Sequence, residues 1–241
     1  MHLIIDIGNT NIKYFIFSNK KIESKGYVNN LEDILDKIDF LANSIKGIIF
    51  SDVRGLDKSI FHKKFDCKII DNLKSNCKFP FIIKYKSINS IGEDRLGLVN
   101  SAFINFPKKD VLIIDLGTCI TYDLITKNSH YLGGAISPGF NIRYMSLDKY
   151  TSKLPLIIND KFPKQIIGDN TENSIKSGVC YGIYSEIEGF IKMMSLKYPN
   201  LTIILTGGDA KLLPKTIKNT IFANQYFLAE GLNGLLEYNK Q

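Results

Sequence analysis

Leu3-Ile4-Ile5-Asp6-Ile7-Gly8-Asn9-Thr10-Asn11 is the stretch from which the fold is read. An apolar run ends in a carboxylate, then a glycine, then small polar residues. The chain turns apolar again from Ile12 to Phe17. The same design returns as Leu112-Ile113-Ile114-Asp115-Leu116-Gly117-Thr118-Cys119. Leu-Ile-Ile-Asp is repeated letter for letter, and the glycine stands two residues on both times. Two copies of one half-domain are expected, 1–110 and 111–241.

The turn Gly8-Asn9-Thr10-Asn11 separates two runs rich in Ile, Tyr and Phe, which is a hairpin signal. A P-loop or dinucleotide fingerprint would open a helix after its glycines. Further along, Leu31, Ile34, Leu35, Ile38 and Leu41 recur at helical spacing and predict a helix over 31–43. Strands are expected at 47–53 and 68–70, then an extended stretch from Phe79 to Tyr85. Gly92-Glu93-Asp94-Arg95 leads into a helix with Leu96, Val99, Ala102, Phe103 and Phe106 on its buried face. Pro107 and Lys108-Lys109-Asp110 close it and mark the boundary between the halves. The second copy reads as strands 111–116 and 120–125 with a polar turn at 127–129. Helical spacing follows around 142–147 and from Thr171 to Leu196. A strand over 201–206 ends in Thr206-Gly207-Gly208-Asp209, and a C-terminal helix covers Leu228 to Tyr238.

A length of 241 residues and a hydrophobic fraction of 44% suit a globular protein with a substantial core. The longest apolar runs are strand-length and stop at Asp6, Asp115 or lysines, so no membrane span or signal peptide is read and the expected compartment is the cytoplasm. Cys67, Cys77, Cys119 and Cys180 form no C-x-x-C pair, and His2, His62 and His130 lie far apart, so neither a disulfide framework nor a zinc site is expected. The net charge of +7 invites a nucleic-acid reading. However, the lysines are dispersed, and only Arg54, Arg95 and Arg143 are arginines. A basic surface serves equally to attract an anionic nucleotide and an acidic substrate.

A strand-end carboxylate followed by glycine and a hydroxyl residue has a physical use. The glycine lets backbone N–H groups approach phosphate oxygens. Asn9, Thr10 and Thr118 can donate side-chain hydrogen bonds, and Asp6 and Asp115 can hold a hydrated cation. One such turn is ordinary. Two copies after identical strands, with Gly207-Gly208 after a third, suggest the actin, sugar-kinase and Hsp70 type of α/β fold: two ribonuclease-H-like halves with ATP in the cleft between them. At Gly92-Glu93-Asp94-Arg95 the acidic residues also complement a helix dipole. Arg95, in a chain that otherwise uses lysine, marks a need for forked binding of a carboxylate or phosphate.

The ordered set of motifs resembles the type III pantothenate kinases. It consists of Asp6-Ile7-Gly8-Asn9-Thr10, Tyr85, Gly92-Glu93-Asp94-Arg95, Asp115-Leu116-Gly117-Thr118, Gly133-Gly134-Ala135-Ile136-Ser137-Pro138-Gly139, Leu154-Pro155, Asn170-Thr171, Thr206-Gly207-Gly208-Asp209 and Gly231-Leu232. The resemblance implies that Asp6, Ile7, Gly8, Asn9, Thr10, Asn11, Ile12 and Lys13 bind ATP with Mg2+, with Thr118 at the second phosphate turn. It implies that Asp115 binds a monovalent cation, K+ or NH4+. It implies that Tyr85, Gly92, Glu93, Asp94, Arg95 and Thr171 contact pantothenate, with Asp94 as proton acceptor, in a homodimer without nucleic-acid or membrane partners. The chain departs from the family at Leu96, where many members carry Trp, at Asp52 within Ser51-Asp52-Val53, and at Cys119.

The rival readings differ in class. One is a kinase of the same fold acting on another small hydroxylated acid. A second is a regulatory protein that binds ATP without turnover, which the intact Asp94 and Arg95 argue against. The third is a ribonuclease-H-like nuclease. That chemistry needs several carboxylates around paired metals, and the second phosphate turn disfavours it.

Overall fold

The first apolar run, His2–Ile7 (β1), is buried along its whole length and pairs antiparallel with Ile12–Ser18 (β2), placing Asp6 opposite Lys13. The hairpin read from the sequence is present. In this computed structural model the described residues are 1–158, 161–214, 217, 220–222 and 224–240. Lys21–Val28 (β3) continues antiparallel on β2. Its charged, largely exposed face suits a sheet edge, and that polarity hid it from the periodicity. Glu32–Ile38 (α1) carries the chain over to Gly47–Asp52 (β4), which runs parallel to β1. The helix expected over 31–43 tightens to a 3-10 turn at Asp39–Ser44, where no residue is fully buried and Phe40 is exposed. Within that turn only Leu41 and Ala42 rest on the core, and both are half-buried.

Ser59–Lys64 (α2) leads to Lys68–Ile70 (β5), parallel to β4. Leu73–Asn76 (α3) is capped by Asn72, and Ile82–Ile83 (β6) precedes Glu93–Asn105 (α4). The first sheet has the order β3-β2-β1-β4-β5.

The second sheet begins with Val111–Leu116 (β7), the repeat strand, followed by Cys119–Ile125 (β8) and His130–Pro138 (β9). Phe140–Tyr150 (α5) and the long helix Thr171–Lys197 (α6) come next. Thr202–Thr206 (β10) is parallel to β7, and Thr220–Phe222 (β11) is parallel to β10. Phe227–Tyr238 (α7) ends the chain's secondary structure. The sheet order is β11-β10-β7-β8-β9-β6. Counted from β7 and read from the β6 edge, this is third-second-first-fourth-fifth after β6, the order of the first sheet with β6 added beside the third strand. The repeated letters in the sequence therefore correspond to a repeated topology.

By packing, the chain falls into two units: residues 1–108, 125–132 and 226–241, and residues 109–124 and 133–225. The core of the first is built on Leu3, Ile5, Ile7, Ile34, Ile48, Phe50 and Phe61. The core of the second is built on Leu112, Ile114, Tyr122, Ile183 and Leu205. Although α7 lies at the C-terminus, it packs along α4 and against β1 and β4 in the first unit. Among the described residues no helix is long and apolar enough to cross a membrane.

Candidate active site

In the first unit, the polar turn sits where β1 releases the chain. Gly8 N donates to Asn11 O at 3.1 Å, and Asn9, Thr10 and Asn11 are exposed. Asp6, one turn of the pleat earlier, is only 8% exposed. Burial pushes its carboxyl up to about 6, the neighbouring Asp94 carboxylate adds to the rise, and Lys13 opposes it. Lys13 Nζ stands 3.9 Å from Asp6 Oδ2. Ser51, paired with Asp6 across β1 and β4, lies beside it, and its hydroxyl also works against the rise. A buried carboxylate whose one cationic neighbour stands at the limit of an ion pair fits a hydrated divalent cation. Magnesium is commonly held this way, by one or two carboxylates together with substrate phosphates. Among the described residues no group of three or more His, Cys, Asp or Glu could hold a metal by itself.

The start of α4 brings the second set of residues to the same unit. Gly92 is the N-cap, and a Cβ there would overlap Asp94 Oδ1. Glycine is thus required for the Asp94 carboxylate to fold back over the helix start, where it accepts from Arg95 N at 2.8 Å. Arg95 is buried, and its guanidinium lies 5.9 Å from the centre of the Tyr85 ring. Tyr85 in turn stacks on the fully buried Tyr131. Glu93 points the other way. Its carboxylate accepts from Asp52 N at 2.9 Å and from Leu73 N at 2.8 Å. Burial raises its pKa and those two donors oppose the rise. Glu93 thereby ties α4 to the end of β4 and the start of α3.

Asp52, a family departure, is also accounted for. It accepts from the backbone N–H of Arg54, Gly55 and Leu56 and from Lys58 Nζ at 2.6 Å. Burial would raise its pKa, but the Lys58 bond and the backbone donors hold it below the usual carboxylate range. The carboxylate folds the loop after β4 around itself. Leu96 is fully buried within α4.

In the second unit, Asp115 ends β7 half-buried, and Gly117-Thr118 turns the chain into β8, with Gly117 N donating to Cys119 O at 3.0 Å. Thr118 is exposed. Gly207, at φ +96, lies against Leu116 and Asp115 Oδ1, where a Cβ would overlap both, and Asp209 N donates to Leu116 O at 3.0 Å. The Thr206-Gly207-Gly208-Asp209 motif is thus folded onto the Asp115 turn. Thr171 opens α6 beside the N-cap Asn170 and lines a cavity of about 670 Å³ with Arg143, Ser146, Leu154 and Val179.

Two features were missed in the sequence. Ser51 gave no signal, because its meaning comes from the strand opposite. Glu186 in α6 accepts from Tyr122 OH, Ser137 Oγ and Arg143. Arg143 could have been noticed on the same scarcity that marked Arg95.

The repeated sheet order, with a carboxylate-ended strand and polar turn in each unit, defines the class by fold: a duplicated α/β fold of the actin-like ATPase and ROK sugar-kinase type. A ROK family protein from Streptococcus pneumoniae superposes with a TM-score of 0.52 at 14% identity, over 99% of both chains. A Campylobacter jejuni protein named for the Baf family of transcriptional activators does so with a TM-score of 0.59 at 23% identity, over 99% of this chain and 98% of that one. At these identities the likeness is one of fold. The profile of the family described as type III pantothenate kinase matches residues 2–193. A protein from Christiangramia forsetii named type III pantothenate kinase is 44% identical over 100% of this chain and 99% of its own. The chain belongs to the type III pantothenate kinase family.

Proposed function

We propose that the protein transfers the γ-phosphoryl group of ATP to the primary hydroxyl of pantothenate, the first step of coenzyme A biosynthesis. The observation that carries this is the full-length match to the family, together with the Gly92–Arg95 helix start that sets Asp94 near Asp6. The hydroxyl oxygen attacks the γ-phosphorus in line, the bond to the β,γ-bridging oxygen breaks, and ADP leaves. Asp94 orients the hydroxyl and takes its proton late. Phosphoryl transfer passes through a loose transition state, so aiming matters more than basicity. Arg95 and Tyr85 bind the acid substrate, Glu93 holds the helix start that presents them, and Thr171 supplies a further contact. Residues Asp6 to Lys13 and Thr118 bind the nucleotide. Magnesium, when bound, neutralises phosphate charge; Asp6 is the carboxylate that would hold its hydration shell. Asp115 is assigned to a potassium or ammonium ion. The chain acts as a cytoplasmic homodimer, and its sequence repeat divides at 110/111, with α7 returning to pack in the first unit.

The test is turnover of ATP with pantothenate against other small hydroxy acids, with the product identified by mass. The expected result is ADP release that depends on pantothenate and a matching phosphorylated product. ATP consumption unaffected by pantothenate would sink the reading. The rivals, an ATP-binding protein without turnover and a nuclease, are not favoured by the family assignment.

A further inference from the structure

We propose that Glu186 is a positioning residue that fixes the Gly117-Thr118 turn through the Ser137-Pro138-Gly139 segment. Glu186 projects from the middle of α6 and gathers donors from three other elements. Tyr122 OH, from β8, donates to Oε1 at 2.7 Å. Ser137 Oγ, near the end of β9, donates to the same oxygen. Arg143 Nη2, from α5, donates to Oε2. Arg143 is in turn fixed, because its Nε donates to Pro138 O at 2.8 Å. The single carboxylate therefore grips the Ser137 side chain directly and the Pro138 carbonyl through Arg143.

Gly139 follows immediately. Its N–H donates to Thr118 O at 3.1 Å. Its α-carbon lies so close to the carbonyls of Gly117 and Thr118 that a Cβ would overlap both. The contacts form one unbroken path inside the second unit, from Glu186 to Ser137 and Arg143, to Pro138, to Gly139, to Thr118. Burial raises the Glu186 pKa, but Ser137, Arg143 and Tyr122 outweigh it and hold the group below the usual carboxylate range. Burial and the Glu186 charge push the Tyr122 hydroxyl up, which keeps it a donor. A turn whose N–H groups and hydroxyl receive a phosphate works only if their directions are set beforehand. A charge-assisted anchor one helix behind the turn supplies that rigidity.

This rests on the reading of Thr118 as a nucleotide contact. The test compares Glu186→Ala, Glu186→Gln and Ser137→Ala with wild type. Calorimetry with a non-hydrolysable ATP analogue is run beside steady-state KM values for ATP and pantothenate. Glu186→Ala is expected to weaken analogue binding and raise the ATP KM about tenfold, with the pantothenate KM within about twofold. Glu186→Gln keeps an acceptor for Ser137 and Tyr122 but leaves Arg143 facing an amide donor, and should recover part of the loss. A role in packing alone would lower thermal stability without that selectivity. Unchanged analogue binding, or equal rises in both KM values, overturns the inference. Should Glu186→Ala not fold, Ser137→Ala removes one hydroxyl and should weaken the analogue about threefold; unchanged binding there overturns it too. The analogue measurement stands even if pantothenate is not the acceptor, whereas a wild type inactive with pantothenate would remove only the functional reading.

Discussion

At the scale of the residue, the proposed mechanism gives Asp6 and Asp94 different work with the same group. Asp94→Asn keeps shape and can still orient the hydroxyl, but it cannot take the proton. The expected loss in kcat is about 10²–10⁴-fold, with ATP binding nearly unchanged; steady-state kinetics beside calorimetry checks this. A variant with near-wild-type kcat would leave Asp94 as a helix-start residue only. Asp6 is held with a pKa of about 6, above its ordinary value of 3.8. In the free protein between these values, the native state binds more protons than the unfolded one. Stability from this group is therefore complete below about pH 4 and falls as pH rises through 6. Asp6→Asn removes that penalty and should stabilise the free protein by about 2 kcal/mol at pH 7.5 while abolishing turnover. Denaturant melts at pH 4.5 and 7.5 measure it, with a clearly larger gain expected at the higher pH.

At the scale of the element, α4 carries the candidate machinery at its first turn, so whatever aims α4 aims the chemistry. Glu93 fixes the start of the helix to β4 and α3. Further along, α7 crosses α4 at glycines. A Cβ on Gly231 would overlap Gly97 O, and one on Gly97 would strike Leu228 and Leu232. Asn100 then closes the crossing with a hydrogen bond from Nδ2 to Gly231 O at 2.8 Å. Overpacking a core contact costs about 1–3 kcal/mol, and here the obstacle is backbone that cannot turn aside. Gly231→Val should cost at least that much in a urea melt. It should also lower kcat through the displaced helix start, although it touches no proposed substrate contact. Full activity in a destabilised Gly231→Val enzyme would separate α7 from the aiming of Asp94.

At the scale of the whole molecule, the second unit exposes large apolar side chains close together in sequence: Met145, Tyr150, Leu156, Ile158, Ile166 and Ile167. Ile158 is 92% exposed. Exposed apolar side chains such as these suit burial against a partner, and the commonest soluble assembly is a two-fold dimer. Light scattering should give twice the 27.3 kDa chain mass at assay concentration; a fully active 27.3 kDa particle would refute the dimer. Activity should also rise steeply when potassium or ammonium replaces sodium, and Asp115→Ala should lose most of it. Equal rates in sodium and potassium buffers would count against the assignment of Asp115.

The sequence by itself determined what depends on near neighbours. The repeat of Leu-Ile-Ile-Asp announced two related sheets, because a strand's burial is written in its own residues. The Gly8 turn announced a hairpin, because tight turns need their own chemistry. Glu93-Asp94-Arg95 announced a helix start. Local pattern could not say that Glu93 turns inward to bind backbone while Asp94 folds back over Gly92, since both are acidic residues in one helical turn. Nor could it place α7 with the first unit, or set Ser51 beside Asp6, or gather Tyr122, Ser137 and Arg143 on Glu186. Those facts belong to the tertiary structure. They arise from strand register, helix crossing and desolvation, and each depends on residues distant in the chain that share no periodicity with the group they surround.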